Sequence, residues 1–421
     1  MIGMISKLGS GSPKTIRVIL MMILFFNCPS FYAVGASAAD EMKFTIIPFT
    51  NEVLINCENI RGADRYEVQY TTSAAGSEQM SKVSSLTRFE IEGLKPGTLY
   101  YFKSRVLNKN RWSNWSVIQQ CKTTSFTATI ETFNILSSRF DSVFPQHQWK
   151  DRKQALADLI LRPDNSPDIL GVQEANLNSQ LKSLDSLINK TYHVHVSKRP
   201  ISARAIFWKK SKYELVSFDD DIKSIEQPVK ENTTVGYISF VRLREKITKK
   251  EILIFNLHTP SGNSAVRNMM AKFVPLRIKE IALRYKNAPV VLLGDFNAFP
   301  KSADPQAPTA SMIIGNNGFM DTYNIAASKK NAFNSTHDRI TSGVSTILDE
   351  QSPSGSKRID YIFVYPANIA TVSDYRIVID FVENSGTVLQ TPVPSDHRPV
   401  RAEIHFLINK GKLWAQEHCS H

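Results

Sequence analysis

Six stretches of the 421-residue chain end or begin apolar runs with side chains able to hold a cation, grip an anion or move a proton. Asn134 closes the first, Gln173-Glu174 the second and Asn256-Leu257-His258 the third. Gly294-Asp295-Phe296-Asn297 follows Val290-Val291-Leu292-Leu293, Asp360 lies in Arg358-Ile359-Asp360-Tyr361, and Asp396-His397 opens the last run. Carboxylates and amides supply the oxygen ligands preferred by a hard divalent cation, and imidazoles left outside such a ligand set remain available for proton transfer. Taken singly, each of these residues is an ordinary turn, cap or structural group. Their shared position at strand ends is what makes them a candidate cleft.

The elements that must position them are legible as hydrophobic periodicity. Strands are expected over 127–136, 168–173, 251–258, 289–293, 358–364 and 400–406, and helices over 152–161, 177–188 and 264–285. Arg204 to Trp208 and Glu214 to Phe218 read as a further pair of strands. Strands recurring after single helices over such a length argue for an α/β unit, a two-layer sheet flanked by helices.

Together, G-D-F-N, R-I-D-Y and S-D-H-R-P-V in this order resemble the endonuclease/exonuclease/phosphatase superfamily over residues 126–407. That resemblance implies a four-layer fold, two sheets packed face to face with helices outside. It also implies roles: Glu174 as principal Mg2+ ligand, with Mn2+ as a substitute, Asn134 beside it, and Asp396 completing or relaying the metal site. His397 is similar to the histidine that pairs with a carboxylate, here Asp360, as general base or as the donor to the scissile phosphate. Asp295 is its rival for activating water, with Asn297 orienting that water. His258 matches a second histidine of the deoxyribonuclease and sphingomyelinase branches, a general acid or phosphate contact. The repair-enzyme branch commonly has an amide there, which sets this chain apart from it. No acidic partner for His258 is evident in the sequence. Arg204 reads equally as a phosphate contact and as a solvated strand residue.

Upstream, residues 43–124 show short alternating strands: Val53-Leu54-Ile55, Tyr66 to Tyr70, Phe89-Glu90-Ile91 and Tyr100 to Val106, with Pro96-Gly97 as a turn. Gly93 to Phe102 resembles the signature turn and strand of a fibronectin type III domain, an all-β immunoglobulin-like sandwich, with Tyr100 in the packed-corner position. Trp112-Ser113-Asn114-Trp115-Ser116 is similar to the tryptophan ladder of some relatives, for which Arg105 and Arg111 are the candidate cations. Such a domain is either a spacer or a contact surface for carbohydrate, the cell surface or nucleic acid.

Lys7, Lys14 and Arg17, then the apolar run Val18 to Phe26 and Ala36-Ser37-Ala38, follow the order of a secretory signal peptide. The expected organisation is therefore a signal peptide over 1–38, a fibronectin-like domain over 40–125, a catalytic domain over 126–408 and a tail over 409–421, secreted or periplasmic and monomeric. Composition excludes a disordered chain and a multi-span membrane protein, with 42% hydrophobic and 21% charged residues. Lys+Arg 51 against Asp+Glu 39 gives +12, which favours polyanionic partners. After cleavage Cys57, Cys121 and Cys419 remain; Cys57 and Cys121 are compatible with a disulfide and equally with two free thiols.

These readings converge on a secreted Mg2+-dependent phosphodiesterase acting on nucleic acid. The same chemistry on sphingomyelin, an inositol phosphate or another small phosphoester is the second expectation, with selectivity in segments 209–231 and 322–357. A non-catalytic adhesin is the third.

Overall fold

A computed structural model describes residues 42–49, 52–73, 79–95, 97–124, 126–197, 203–223, 237–285, 288–302, 308–337, 357–382, 385 and 388–407. The leader expected over 1–38, Pro96, much of the two segments expected to carry selectivity (224–231 and 338–356) and the expected tail with Cys419 lie outside the described residues. No described helix is long and apolar enough to cross a membrane.

The N-terminal strands are β1 Phe44–Pro48, β2 Val53–Cys57, β3 Ala63–Thr71, β4 Met80–Ser84, β5 Arg88–Ile91, β6 Leu99–Asn108, β7 Arg111–Trp112 and β8 Gln119–Lys122. They form one sheet of order β1-β2-β5 and another of order β4-β3-β6-β7, with β8 also pairing β6. Burial alternates along β6, and the inward residues Tyr100, Phe102 and Val106 share a core with Phe44, Ile55, Val68 and Phe89. The Tyr100 hydroxyl accepts a hydrogen bond from the Lys95 amide at 2.9 Å. The Arg105 guanidinium lies 4.6 Å from the Trp112 ring and 4.2 Å from the Trp115 ring. Lys103, at 4.7 Å from Trp115, is the second cation of the ladder where Arg111 was expected, because it shares the face of β6 with Arg105. No disulfide joins Cys57 to Cys121, and burial pushes the Cys57 thiol up to about 12.

The larger part comprises β9 Phe126–Asn134, β10 Ile169–Ala175, β11 Tyr192–Val196, β12 Ala203–Lys209, β13 Tyr213–Lys223, β14 Tyr237–Glu245, β15 Glu251–His258, β16 Val290–Asp295, β17 Met320–Asp321, β18 Ala326–Lys330, β19 Asp360–Tyr365, β20 Ala370–Ile377 and β21 Val400–Phe406. A seven-stranded sheet runs β11-β12-β10-β9-β21-β20-β18 and a six-stranded one β13-β14-β15-β16-β19-β17. Ile130, Ile169, Ile206 and Ala402 of the first pack against Val241, Ile254, Val291 and Ile362 of the second. The helices Trp149–Leu161 and Lys182–Ile188 cover the outer face of the seven-stranded sheet through Leu156, Ile160 and Leu184. Ser264–Arg284 and Ala310–Asn316 cover the other sheet through Val274, Ile278 and Ile314. The order of layers is helix, sheet, sheet, helix. Strands buried on both faces read as unbroken apolar runs, which is why Val290-Val291-Leu292-Leu293 is so conspicuous in the sequence.

A parallel pair lies at the centre of each sheet, β9 with β10 and β15 with β16, and β18 pairs parallel with β20 at the edge of the first sheet. A crossover helix on the outer face joins each central pair, Trp149–Leu161 in the first and Ser264–Arg284 in the second. Most element boundaries agree with the sequence pattern within two or three residues. Two differ in substance. The segments 204–208 and 214–218 do not pair with each other: β12 pairs with β10 and β11, and β13 with β14, in different sheets. Trp208 and Tyr213 both turn into the core between the sheets, so the short connection passes from one layer to the next. The helix expected from Leu177 begins as a π-type turn, with the Leu181 amide donating to the Asn176 carbonyl at 3.1 Å, and becomes α-helical only at Lys182.

Candidate active site

Parallel pairing aligns the C-terminal ends of β9 and β10, placing Gln173 opposite Asn134 and Glu174 just beyond. Pairing of β10 with β12 is interrupted between Val172 and Ala175, and Glu174 adopts φ 59°. This bulge turns its carboxylate toward the end of the sandwich. Asn134 Nδ2 donates to Glu174 Oε1 at 2.9 Å and to Asp295 Oδ2 at 3.0 Å, while Asn134 Oδ1 accepts from the Leu136 amide. One amide thus joins a carboxylate from each sheet.

The six-stranded sheet repeats the arrangement. His258 pairs with Asp295 at the ends of β15 and β16, and Asp295 faces Asp360 at the start of β19. Gly294 is required here: it has φ 147°, and a β-carbon on it would stand 1.8 Å from the Leu257 carbonyl oxygen. Asn297, in the left-handed region at φ 46°, donates its backbone N–H to Asp295 Oδ1 at 2.8 Å and its Nδ2 to the Thr259 carbonyl at 2.8 Å. His258 Nε2 lies 3.5 Å from Glu174 Oε1 and 3.6 Å from Asp295 Oδ2. These are the acidic neighbours that could not be read from the sequence. His397 Nδ1 lies 3.0 Å from Asp360 Oδ2, and its Nε2 is 3.8 Å from Asp295 Oδ2.

Electrostatics follow from crowding several ionisable groups where water is excluded. Burial and the neighbouring Asp360 push Asp295 up to about 7, against the opposing pull of His397 and of the Asn297 and Asn134 hydrogen bonds. Burial disfavours the imidazolium of His397. The carboxylates of Asp360, Asp295 and Asp396 outweigh it and hold that group well above the ordinary histidine range. His258 moves the other way, down to about 4, because burial dominates and Glu174 only partly compensates. Burial also works against ionisation of Glu174, but His258, the Asn134 hydrogen bond and His397 keep its pKa below the usual value.

The donor set suits a hard divalent cation. Glu174, Asp295 and His258 present ligand atoms within 4.8 Å of one another, and Glu174 and Asp295 supply oxygen. Asp360 Oδ1 is buried and has no hydrogen-bond partner, an acceptor left over in the same pocket. Asn134 meets Glu174, as expected, but turns its amide nitrogen rather than its oxygen to the carboxylates.

Between the sheets a polar bridge lies directly beneath the site. Gln173 Nε2 donates to Thr132 Oγ1 at 3.0 Å and to Asn256 Oδ1 at 2.8 Å, and Asn256 Nδ2 donates to the carbonyls of Val172 and Ala205. A β-carbon at Gly171 would stand 2.0 Å from Leu293 Cδ1, so the sheets meet closely there. Arg152 is fully buried and donates to the carbonyls of Ile135, Leu136 and Pro394, tying the turn after Asn134 to the segment that leads into Asp396-His397.

All eight residues singled out in the sequence lie at this one end of the sandwich. Seven are joined by the contacts above. Asp396 falls beside His337 and His397, with His337 Nε2 at 3.7 Å from Asp396 Oδ2. Arg204 is buried rather than solvated; it reaches Ser239 Oγ at 3.4 Å and its charge bears on His258. Arg152 and His337 were missed. Arg152 looked like the polar start of an amphipathic helix, and His337 stands alone in a segment without periodicity.

Against known proteins, a sequence model described as the Endonuclease/Exonuclease/phosphatase family matches residues 132–397, from two residues before Asn134 to His397 itself. The chain belongs to that family. Enzymes of that family are phosphoric ester hydrolases that generally depend on divalent metal. A probable 3'-5'-exoribonuclease subunit Ccr4 of the CCR4-Not complex from Encephalitozoon cuniculi is 25% identical over 66% of this chain and 62% of its own length. Carbon catabolite repressor protein 4 homolog 3 of Arabidopsis thaliana is 23% identical over 41% of this chain and 40% of its own. The chain therefore spans less than two thirds of either curated relative. Among solved structures, a mannosyl-6-phosphatase of Bacteroides thetaiotaomicron is similar with TM-score 0.53 and 25% identity, covering 66% of this chain and 98% of that one. A family member from the same organism gives TM-score 0.54 at 24% identity, covering 68% and 100%.

Proposed function

We propose that this protein is an exported, Mg2+-dependent phosphodiesterase that hydrolyses nucleic acid by in-line attack of water on phosphorus. The observation that carries the reading is the convergence of Glu174, Asp295, His258 and the Asp360–His397 pair on one pocket. Glu174, with Asn134 beside it and Asp396 in support, would hold Mg2+, which when bound neutralises charge on the phosphoryl oxygens. Asp295, aligned by Asn297, accepts the proton of the attacking water as the new P–O bond forms and the ester P–O bond breaks. His397, fixed by Asp360, donates from Nε2 to a non-bridging oxygen, and His258 contacts the phosphate from the other side. The basic surplus, 48 Lys+Arg against 39 Asp+Glu after removal of residues 1–38, supports a polyanionic substrate. The leader-like order of residues 1–38 supports export. The two small facing sheets, the Tyr100 corner and the Arg105 ladder support reading residues 40–125 as a fibronectin-like spacer or surface-contact domain, and 126–408 as the catalytic domain of a monomer.

A second reading, hydrolysis of a small phosphomonoester, is favoured by the likeness to the mannosyl-6-phosphatase. The test is a panel of plasmid DNA, RNA, sphingomyelin, inositol phosphates, mannose 6-phosphate and an aryl phosphodiester, with Mg2+ or chelator, using wild type and His397→Ala. Cleavage of DNA or RNA that needs both Mg2+ and His397 is expected. Intact polymers with phosphate released from mannose 6-phosphate would transfer the assignment to the second reading.

A further inference from the structure

We propose that His337, Asp396 and His397 form a second cation site that takes Zn2+ and switches the hydrolase off. The three residues present ligand atoms within 4.8 Å of one another. His337 Nε2 and Asp396 Oδ2 are 3.7 Å apart, and the two imidazole rings are 4.6 Å apart between centroids at 60°. Tetrahedral zinc with bonds of about 2.0 to 2.1 Å places its ligand atoms roughly 3.3 Å apart, so the His337–Asp396 pair closes by a few tenths of an ångström and the other pairs, bounded by 4.8 Å, by at most about 1.5 Å.

Three further features belong to such a site. The backbone bridge between His337 and His397 holds the two histidines in register. His397 Nδ1 is engaged by Asp360, which aims Nε2 as the coordinating nitrogen; a carboxylate behind a ligating histidine is the usual supporting partner of zinc. Ser395 Oγ hydrogen-bonds Asp396 Oδ1 at 3.2 Å, leaving Oδ2 toward His337. His397 is buried, whereas the His337 side chain is 33% exposed and gives the ion a way in. The two sites share Asp396, which the proposed reaction places in support of Mg2+, and differ in their other donors. Two imidazoles and one carboxylate favour zinc, while the oxygen donors of Glu174 and Asp295 favour magnesium.

The regulatory consequence rests on the role given above to His397. Its Nε2 cannot hold zinc and donate to a phosphate oxygen at once, so zinc occupancy and turnover exclude each other. His337 has no part in the proposed reaction and serves only the zinc site.

The experiment uses the full chain, stripped of metal and titrated with Zn2+ against a chromophoric zinc chelator without Mg2+, with hydrolysis measured separately in millimolar Mg2+. Wild type and Glu174→Gln should each bind one Zn2+ with equal affinity, and His337→Ala should bind it at least about tenfold more weakly. His337→Asn, which is closer in size, serves as a second variant with the same expectation should the alanine variant fold poorly. Hydrolysis of the aryl phosphodiester by His337→Ala should stay within about twofold of wild type while needing at least about tenfold more Zn2+ for half inhibition. Zinc affinity unchanged in the His337 variants, or lost in Glu174→Gln, would overturn the proposal. A wild type that hydrolyses nothing in the panel would sink the phosphodiesterase reading alone, because the chelator titration reads the zinc site without turnover.

Discussion

Asp360 and His397 come from opposite sides of the sandwich, one beginning β19 of the six-stranded sheet and the other preceding β21 of the seven-stranded sheet, yet Oδ2 and Nδ1 lie 3.0 Å apart. The carboxylate fixes the ring's orientation and favours its charged form. Asp360→Asn keeps the shape and removes both effects. Turnover should fall by about 10² to 10⁴ with little change in KM or in circular dichroism; a KM effect without loss of turnover would place the pair in substrate binding only.

Glu174 is the partly open carboxylate of the pocket, with its side chain 23% exposed. A ligand that binds only the folded chain raises its stability by mass action. Mg2+ should therefore raise the Tm of wild type, and Glu174→Gln should lose both that rise and hydrolysis. An equal Mg2+-dependent rise in the variant would move the cation elsewhere.

Gly294 tolerates neither a β-carbon nor an ordinary backbone, given φ 147° and the 1.8 Å approach to the Leu257 carbonyl. Gly294→Ala should cost about 3 kcal/mol or more in urea unfolding. The same change at Gly93, which has nothing within 4 Å, carries only its backbone penalty.

Glu131 is buried beneath the Trp149–Leu161 helix with neither carboxylate oxygen hydrogen-bonded, and burial pushes it from 4.5 up to about 8 despite Arg401 and Arg162. Between those values the folded chain holds a proton that the unfolded chain has released, so this group makes stability fall as pH rises from 4.5 to 8. The span corresponds to a change on the order of 5 kcal/mol. Glu131→Gln should flatten the decline in urea midpoint between acid and mildly alkaline pH; an unchanged slope would assign the decline to other groups.

The catalytic sheets were readable because strands buried on both faces are continuous apolar runs, and because the polar residues that interrupt them, Asn134, Glu174, His258 and Asp295, sit at the ends. What could not be read was which strand joins which layer. Arg204 to Trp208 and Glu214 to Phe218 have the spacing of a hairpin, and only the shared core of Trp208 and Tyr213 shows the chain changing sheets. Contacts made by isolated residues were equally hidden. Nothing in the spacing of Arg152 announces that it anchors two turns around the pocket, and nothing beside His337 announces Asp396. The pairing of Arg105 with Lys103 rather than Arg111 depends on which way β6 faces, which sequence alternation narrows but does not fix.

The two central parallel pairs each bring part of the pocket: Asn134 and Glu174 from β9 and β10, His258 and Asp295 from β15 and β16. Neither part has enough negative charge or ligand atoms by itself. A chain in which one sheet has formed without the other lacks part of this set of groups. The pocket is complete only where Gly171 admits Leu293 and the two layers meet.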